Sequence, residues 1–295
     1  MKRVLLVGQR DSVFSVLTRH PAVTVIGCVA IEGSFLHRRA LTYAIETVSV
    51  TKQQKDAAVA AIQAMDFDVL VSVGWPWLLP IATLRQDKPD AKFINVHPSC
   101  LPRLRGAHPL NGALLLDESR VGATVHWMDG SFDTGNIIAQ VCIERTPDLD
   151  LGLLYLISRM LEAEAMAQAL ELLAATDFSF AGYAQRGQPS YYTRRLADMQ
   201  CRAAETSTAE LVRRVRAFGT QTQLCQVQTG EGVVTALDAE PIVNLFLLER
   251  YANAPAGTVI AEYDNRLLIR TIDGIVKLSE VRWVERSHSS STAPQ

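Results

Sequence analysis

Long apolar runs, metal-ligand spacings, a dinucleotide fingerprint and a charge excess are all missing from this 295-residue chain, and each absence closes a class of function. No run of about 18 consecutive apolar residues occurs, so no membrane-spanning helix and no membrane partner are expected. The opening MKRVLLVGQRDSV turns polar too early for a signal peptide, which points to a cytoplasmic protein. The five cysteines, Cys28, Cys100, Cys142, Cys201 and Cys225, form no CxxC pair and no His/Cys spacing of the kind zinc needs. Reduced thiols and no metal are the expectation. A formal net charge of −2 gives no global pull toward nucleic acid or an anionic membrane. Gly8 opens GQRDSVF where a nicotinamide site would carry GxGxxG, so a dehydrogenase of that kind is disfavoured.

With 48% hydrophobic and 20% charged residues, the chain can bury a full core and leave material for a smaller unit. Residues 3–7, 13–17 and 23–31 read as strand, helix, strand; 56–65 read as a helix and 67–73 as a buried strand. Residues 92–96 form another buried strand, cut off by Pro98, which has no N–H to give a ladder. Further on, 110–116 read as a helix, 122–128 and 137–143 as strands, and 151–173 as a long helix. The fold class expected is α/β: a Rossmann-like, mostly parallel sheet with helices on both faces.

Gly182, Gly187 and Pro189 mark a change of texture. A helix over 208–218, carrying Arg213, Arg214 and Arg216, precedes short β-like runs at 224–227, 232–236, 257–261, 266–271 and 274–278. They predict a smaller β-rich, OB-like domain. The expected division is a catalytic domain at 1–187, a linker at 188–204, the small domain at 205–286 and a disordered tail at 287–295.

Chemistry concentrates in FINVHPSCLPRLRG (93–106) and GATVHWMDGSFDTGNIIAQ (122–140). Side chains two apart on a strand share a face, so Asn95 and His97 are presented together at a strand's carboxyl end, the edge where open α/β sheets bind ligands. An amide donor beside an imidazole suits a site where charge develops on a carbonyl oxygen. Asp133 lies in DGSFDTG between Gly130 and Gly135, which let the loop turn back over the sheet edge. A carboxylate there would orient His97 and favour its protonated form. By itself Asn-x-His is a weak signal, and such a pair is more often a satisfied part of the core. His126 shares a face with Thr124 and Met128, and both a supporting role and a hydrogen-bonded core position stay open for it.

Together the two segments resemble the folate-dependent formyltransferase family, which includes methionyl-tRNA, glycinamide ribonucleotide and amino-sugar formyltransferases; the resemblance is strongest over 67–140. It implies that Asn95, His97 and Asp133 are catalytic, with Ser99, Leu101-Pro102-Arg103 and Arg105-Gly106 as accompanying features. It also implies 10-formyltetrahydrofolate as formyl donor, with the pteridine held among Val73, Trp75, Leu78, Leu79, Asp129, Gly130 and Ser131. Trp75 and Trp77 depart from the family pattern and either pack the core or wall a pocket. The second unit looks like the carboxyl-terminal domain of the methionyl-tRNA and amino-sugar enzymes, through Arg216-Ala217-Phe218 and PAGTVIAEYDNRLLIRTIDGIVKLSEV. It departs from them at GTQTQLC, where the family carries a Pro-rich turn.

Three such residues activate any primary amine, so the flanking surface sets the acceptor. The first expectation is a nucleotide-linked amino-deoxy sugar, met by Ser99, Arg103, Arg105, Gly106, His108, Tyr191, Tyr192 and Arg194. Arg194 and Arg195 in SYYTRR read equally as solvated charge. Methionyl-tRNA, which would need a basic track, a siderophore hydroxyornithine, and a non-enzymatic folate- or RNA-binding module are the alternatives. Apolar strands in the second unit are compatible with a homodimer.

Overall fold

The computed structural model describes residues 1–286; the tail expected to be disordered, 287–295, lies outside the described residues. In chain order the first elements are β1 (Lys2–Gly8), α1 (Phe14–Arg19), β2 (Val23–Ile31), α2 (Phe35–Thr42), β3 (Thr47–Val50) and α3 (Lys55–Ala64). They are followed by β4 (Val69–Val73), α4 (Ile81–Asp87), β5 (Lys92–His97), α5 (Pro109–Leu115), β6 (Arg120–Trp127), β7 (Ile137–Glu144) and α6 (Leu151–Ala175). Among the described residues no helix is long and apolar enough to cross a membrane.

The strands make one seven-stranded sheet ordered β3-β2-β1-β4-β5-β6-β7. Pairing is parallel from β3 through β5 and antiparallel for β5 with β6 and β6 with β7. The α/β class and its mostly parallel sheet therefore stand as expected. Sequence periodicity explains the layering. In β1, Val4 and Leu6 face one core with α1, α2 and α6, while Leu5 and Val7 face a second core covered by α3 and α4. A strand buried on both faces reads as an unbroken apolar run rather than an alternating one. β5 follows the same parity: Ile94 and Val96 enter the first core, and Phe93 enters the second. Asn95 and His97 therefore continue the Phe93 face toward the carboxyl edge.

The remaining elements are β8 (Gln200–Arg202), α7 (Thr208–Phe218), β9 (Cys225–Thr229), β10 (Gly232–Ala236), β11 (Asp238–Pro241), α8 (Leu245–Arg250), β12 (Val259–Tyr263), β13 (Arg266–Arg270), β14 (Ile275–Ser279) and β15 (Arg282–Arg286). They build two four-stranded sheets, β15-β10-β9-β8 and β11-β14-β13-β12. Short elements with weak patterning, β3, α2, α4, β8, β11, α8 and β15, are absent from the sequence reading.

The chain divides into two compact units: 1–109, 120–144 and 156–192 form one, and 110–119, 145–155 and the segment from Thr193 onward form the other. A single boundary near 187 does not reproduce this. Long-range hydrogen bonds give the reason, since Asn111 Nδ2 donates to Ala217 O (2.7 Å) and Gln223 Oε1 (2.8 Å), tying 110–119 to the end of α7. The stretch expected to be a linker, 188–204, is also folded: Arg105 N donates to Ser190 O (2.9 Å), Tyr192 N donates to Arg105 O (3.1 Å), and β8 pairs with β9. Backbone pairing, invisible in composition, outweighs the Gly/Pro signal there.

A second correction concerns the thiols. Cys100 and Cys142 are joined in a disulfide, whereas Cys28, Cys201 and Cys225 are free and buried. The loop after β5 returns across β6, where Gly122 pairs with Cys142, and this meeting spans 42 residues of sequence. No spacing rule for zinc or redox motifs looks that far.

Candidate active site

Asp133 is the hub of a buried polar cluster on the Asn95 face of the sheet. Its Oδ1 accepts from Asn95 Nδ2 at 3.1 Å and lies 3.5 Å from His97 Nδ1 and 3.4 Å from His126 Nε2. Its Oδ2 accepts the Gly106 N–H at 2.9 Å. Asp133 and His97 are 7% and 5% exposed, so these contacts act with little screening by solvent.

Ring protonation follows from the partners. His126 Nδ1 lies 2.8 Å from Trp127 O, and His97 Nε2 lies 2.8 Å from Leu104 O; a carbonyl only accepts, so both nitrogens carry a proton. In a neutral His126 the bare Nε2 then accepts the second N–H of Asn95, at 3.2 Å. Asn95 thus has both amide hydrogens assigned, one to Asp133 and one to His126, which fixes its orientation. The His97 Nδ1 facing Asp133 carries a second proton when the ring is cationic. Burial by itself would raise the Asp133 pKa, but the two imidazoles and the Gly106 N–H outweigh it and hold the carboxyl below the usual carboxylate range.

Local backbone places these groups. β5 ends at His97, immediately before Pro98. Leu104 (φ 56°) and Asp133 (φ 55°) both occupy the left-handed region, sparsely used by residues with a Cβ, to aim a carbonyl and a carboxylate at the cluster. Of the two glycines expected to shape the Asp133 loop, only Gly135 is required by packing: a Cβ there would sit 1.8 Å from Trp127 O, whereas one at Gly130 would meet nothing within 4 Å. Asp129 braces the loop through the Ser131 N–H (2.9 Å) and the Thr134 hydroxyl (2.6 Å).

Several residues expected to contact ligand also have partners within the fold. Ser99 is 3% exposed and donates its hydroxyl to Arg103 O (2.7 Å). The Val73 side chain lies in the first core and its carbonyl accepts from the Gln9 and Arg10 N–H groups. Leu79 is buried in the second core, and Leu78 is exposed. Trp75 and Trp77 stack edge to face, 5.1 Å between centroids, against that core, and Trp75 Nε1 is buried with no hydrogen-bond partner. The pair therefore packs against that core. Arg103 is exposed and His108 half-buried. Arg105 donates to Tyr191 Oη (2.9 Å) and Gln185 Oε1 (2.6 Å) and lies over the Tyr191 ring. Tyr191 is exposed, Tyr192 is buried, and Arg194 belongs to the second unit.

Two groups in the cluster have no sequence signal. Gln185 Nε2 donates to Asp133 O and Gly135 O, both at 2.8 Å, clamping the loop to Arg105. The Leu104 carbonyl is the other. His126 was legible only as a face assignment, and the β5/β6 register sets it directly opposite Asn95. Among the described residues no group of three or more His, Cys, Asp or Glu side chains is arranged to hold a metal ion.

Comparison with known proteins supplies an independent view. The pattern of the family described as Formyl transferase matches residues 4–170. The chain is 34% identical over 136 residues to a methionyl-tRNA formyltransferase of Syntrophus aciditrophicus, covering 46% of this chain and 43% of that protein. It is 31% identical over 182 residues to the methionyl-tRNA formyltransferase of Methylobacterium nodulans, covering 62% and 58%. These matches span about half the length of both relatives. An N-formyltransferase from Helicobacter canadensis, solved with folinic acid and dTDP-3-aminofucose, shares the fold with a TM-score of 0.66 at 16% identity over 96% of this chain and 100% of that one.

Proposed function

From the premise that this chain belongs to the formyl transferase family, we propose that it moves the formyl group of 10-formyltetrahydrofolate onto a primary amine. The observation that carries the reading is the convergence of Asn95, His97 and His126 on one ionised carboxylate oxygen at the carboxyl end of β5.

The reaction needs three things. A neutral amine attacks the formyl carbon, the oxygen becomes an oxyanion, and one proton leaves the amine while N10 of the folate gains one as the C–N10 bond breaks. Asn95 Nδ2 and a protonated His97 are the donors for the oxyanion. Because both Asn95 hydrogens and both N–H groups of a cationic His97 already have acceptors, the oxyanion must take over one hydrogen from each. Asp133, held ionised, keeps His97 oriented and, directly or through water, helps move a proton from the amine to the departing N10. The Trp75 N–H at the end of β4 is a donor suited to the folate.

For the acceptor, the first reading is an amino-deoxy sugar linked to a nucleotide. The exposed Tyr191 ring, backed by the Arg105 guanidinium, offers a base a stacking surface beside the Asp133 loop. Methionyl-tRNA is the second reading, favoured by the sequence relatives. Against it, two of the three arginines of α7 are committed internally: Arg214 to Glu210 and Arg216 to Asp238, with side chains 24% and 22% exposed. They supply little of the phosphate track that tRNA requires.

The test is release of tetrahydrofolate from 10-formyltetrahydrofolate with a panel of amino-sugar nucleotides and charged methionyl-tRNA, at low and high salt. Turnover with a sugar nucleotide supports the first reading. Salt-sensitive turnover with the tRNA alone replaces it with the second, and silence across the panel sinks formyl transfer.

A further inference from the structure

The first half of the loop that follows β5 is fastened to the strands β6 and β7 by a compact set of contacts. Thr124 on β6 accepts from Leu101 N (3.2 Å) and donates to Ser99 O (2.7 Å), and Gln140 on β7 donates to Leu101 O (3.0 Å) and to Thr124 Oγ1 (2.8 Å). Between these residues in the chain sits Cys100, bonded to Cys142 of β7. The opposing strand makes room for the bond: a Cβ on Gly122 would lie 2.6 Å from the Cys100 sulfur and 2.8 Å from the Cys142 sulfur. Four residues beyond Cys100 is the Leu104 carbonyl that holds His97, and six beyond is the Gly106 N–H that holds Asp133. Both cysteines are half-buried, whereas the three free cysteines are buried.

We propose that Cys100 and Cys142 are a reversible thiol–disulfide site that sets turnover at the Asn95/His97/Asp133 cluster by locking or loosening this loop, a regulation that rests on the proposed formyl transfer. The oxidant is a low-molecular-weight disulfide, RSSR. One cysteine thiolate attacks it and expels RS⁻ to give a mixed disulfide; the other thiolate then displaces the second RS⁻. Two electrons and, with the thiol protons, two hydrogens pass from the protein to RSSR, giving two RSH and the Cys100–Cys142 bond. Excess thiol runs the exchange backward. In the oxidised state the segment before these backbone partners of His97 and Asp133 is pinned to β7 covalently; in the reduced state the Thr124 and Gln140 hydrogen bonds alone fasten it to β6 and β7, while the Leu104–Gly106 end keeps its bonds to Ser190, Tyr192 and Asp133. Misplacement of a reacting group by about 1 Å costs about 10²-fold in rate, so a loosened loop lowers turnover.

The experiment equilibrates the full chain in glutathione disulfide or in excess reduced glutathione and reads three quantities: alkylatable thiols after denaturation, hydrogen exchange of the 99–106 amides, and formyl-transfer turnover. Oxidised protein should show three thiols, matching the free cysteines, and reduced protein five. Reduction should speed loop exchange by about tenfold or more and lower turnover about 10- to 100-fold, reversibly. Cys142→Ser and Cys142→Val should behave like reduced wild type in both buffers. Five thiols in the oxidised sample overturn the proposal, as does loop exchange or turnover that ignores the redox state. If no acceptor supports turnover in either state, formyl transfer fails by itself, and loop exchange together with tetrahydrofolate affinity, each measured in both states, still decides the redox site.

Discussion

Replacing Asp133 with Asn keeps the side chain's shape and removes its charge, so it isolates what the hub carboxylate does. In the native cluster one oxygen accepts from Asn95 and, when His97 is cationic, from its Nδ1–H, with His126 Nε2 3.4 Å away, and the other accepts the Gly106 N–H. An amide has only one acceptor end. If its oxygen keeps Gly106, its NH2 meets the Asn95 NH2, donor against donor, and His97 loses its counter-charge. At an effective dielectric of about 20, unit charges 3.5 Å apart attract by about 5 kcal/mol before desolvation is set against it. A charge-assisted hydrogen bond nets about 1.5–3 kcal/mol, and a mismatched buried donor costs about 1–3 kcal/mol. A loss of about 3 kcal/mol at the transition state follows, a fall of 10²-fold or more in kcat. Single-turnover release of tetrahydrofolate at saturating acceptor measures it, with tetrahydrofolate affinity and thermal unfolding as controls for an intact site and fold. A folded, folate-binding Asp133→Asn variant within about tenfold of wild type would refute the assignment of Asp133 as the hub.

Three further outcomes follow from the same geometry. The folded-state pKa of Asp133 lies below the unfolded value of about 3.9. The stability it contributes is therefore complete above that pH and drains away as pH falls through the folded value. The Tm advantage of wild type over Asp133→Asn should shrink between pH 5 and 3, while a pH-independent gap contradicts the depressed pKa. His126→Leu removes the acceptor that orients Asn95 and should lower kcat about tenfold with little change in the KM for folate, since the ring is placed to act through Asn95; a matching rise in KM would instead assign it to binding. Finally, Glu162 of α6 is fully buried and paired with Arg10, whose Nε donates to Oε2 at 3.1 Å. Glu162→Ala should destabilise by about 3–5 kcal/mol in urea unfolding, with the Arg10→Met/Glu162→Met double variant recovering much of it. A single-variant cost under about 1 kcal/mol would show that water reaches the cation.

Periodicity and local chemistry in the sequence determined the strands buried on both faces, the end of β5 before Pro98, and the placing of Asn95 and His97 on one face. Each depends on neighbours within a few residues: side-chain parity, a missing N–H, a turn residue. The glycine-flanked DGSFDTG loop marks Asp133, and the family resemblance adds the catalytic role of the three residues and the formyl donor. Only the tertiary structure decided the rest, because it rests on contacts between distant segments. Register between antiparallel β5 and β6 sets His126 opposite Asn95 across 31 residues and so fixes which way the Asn95 amide points. Loop return over the hairpin joins Cys100 to Cys142 and spends the Ser99 hydroxyl on its own turn. Backbone pairing at Arg105 puts the start of an apparent linker, 188–192, in the first unit, while 193–204 belong to the second, and Gln185 clamps the Asp133 loop. A sequence records which groups are available, but a carboxylate shared by three nitrogens exists only once the sheet has brought their backbones together.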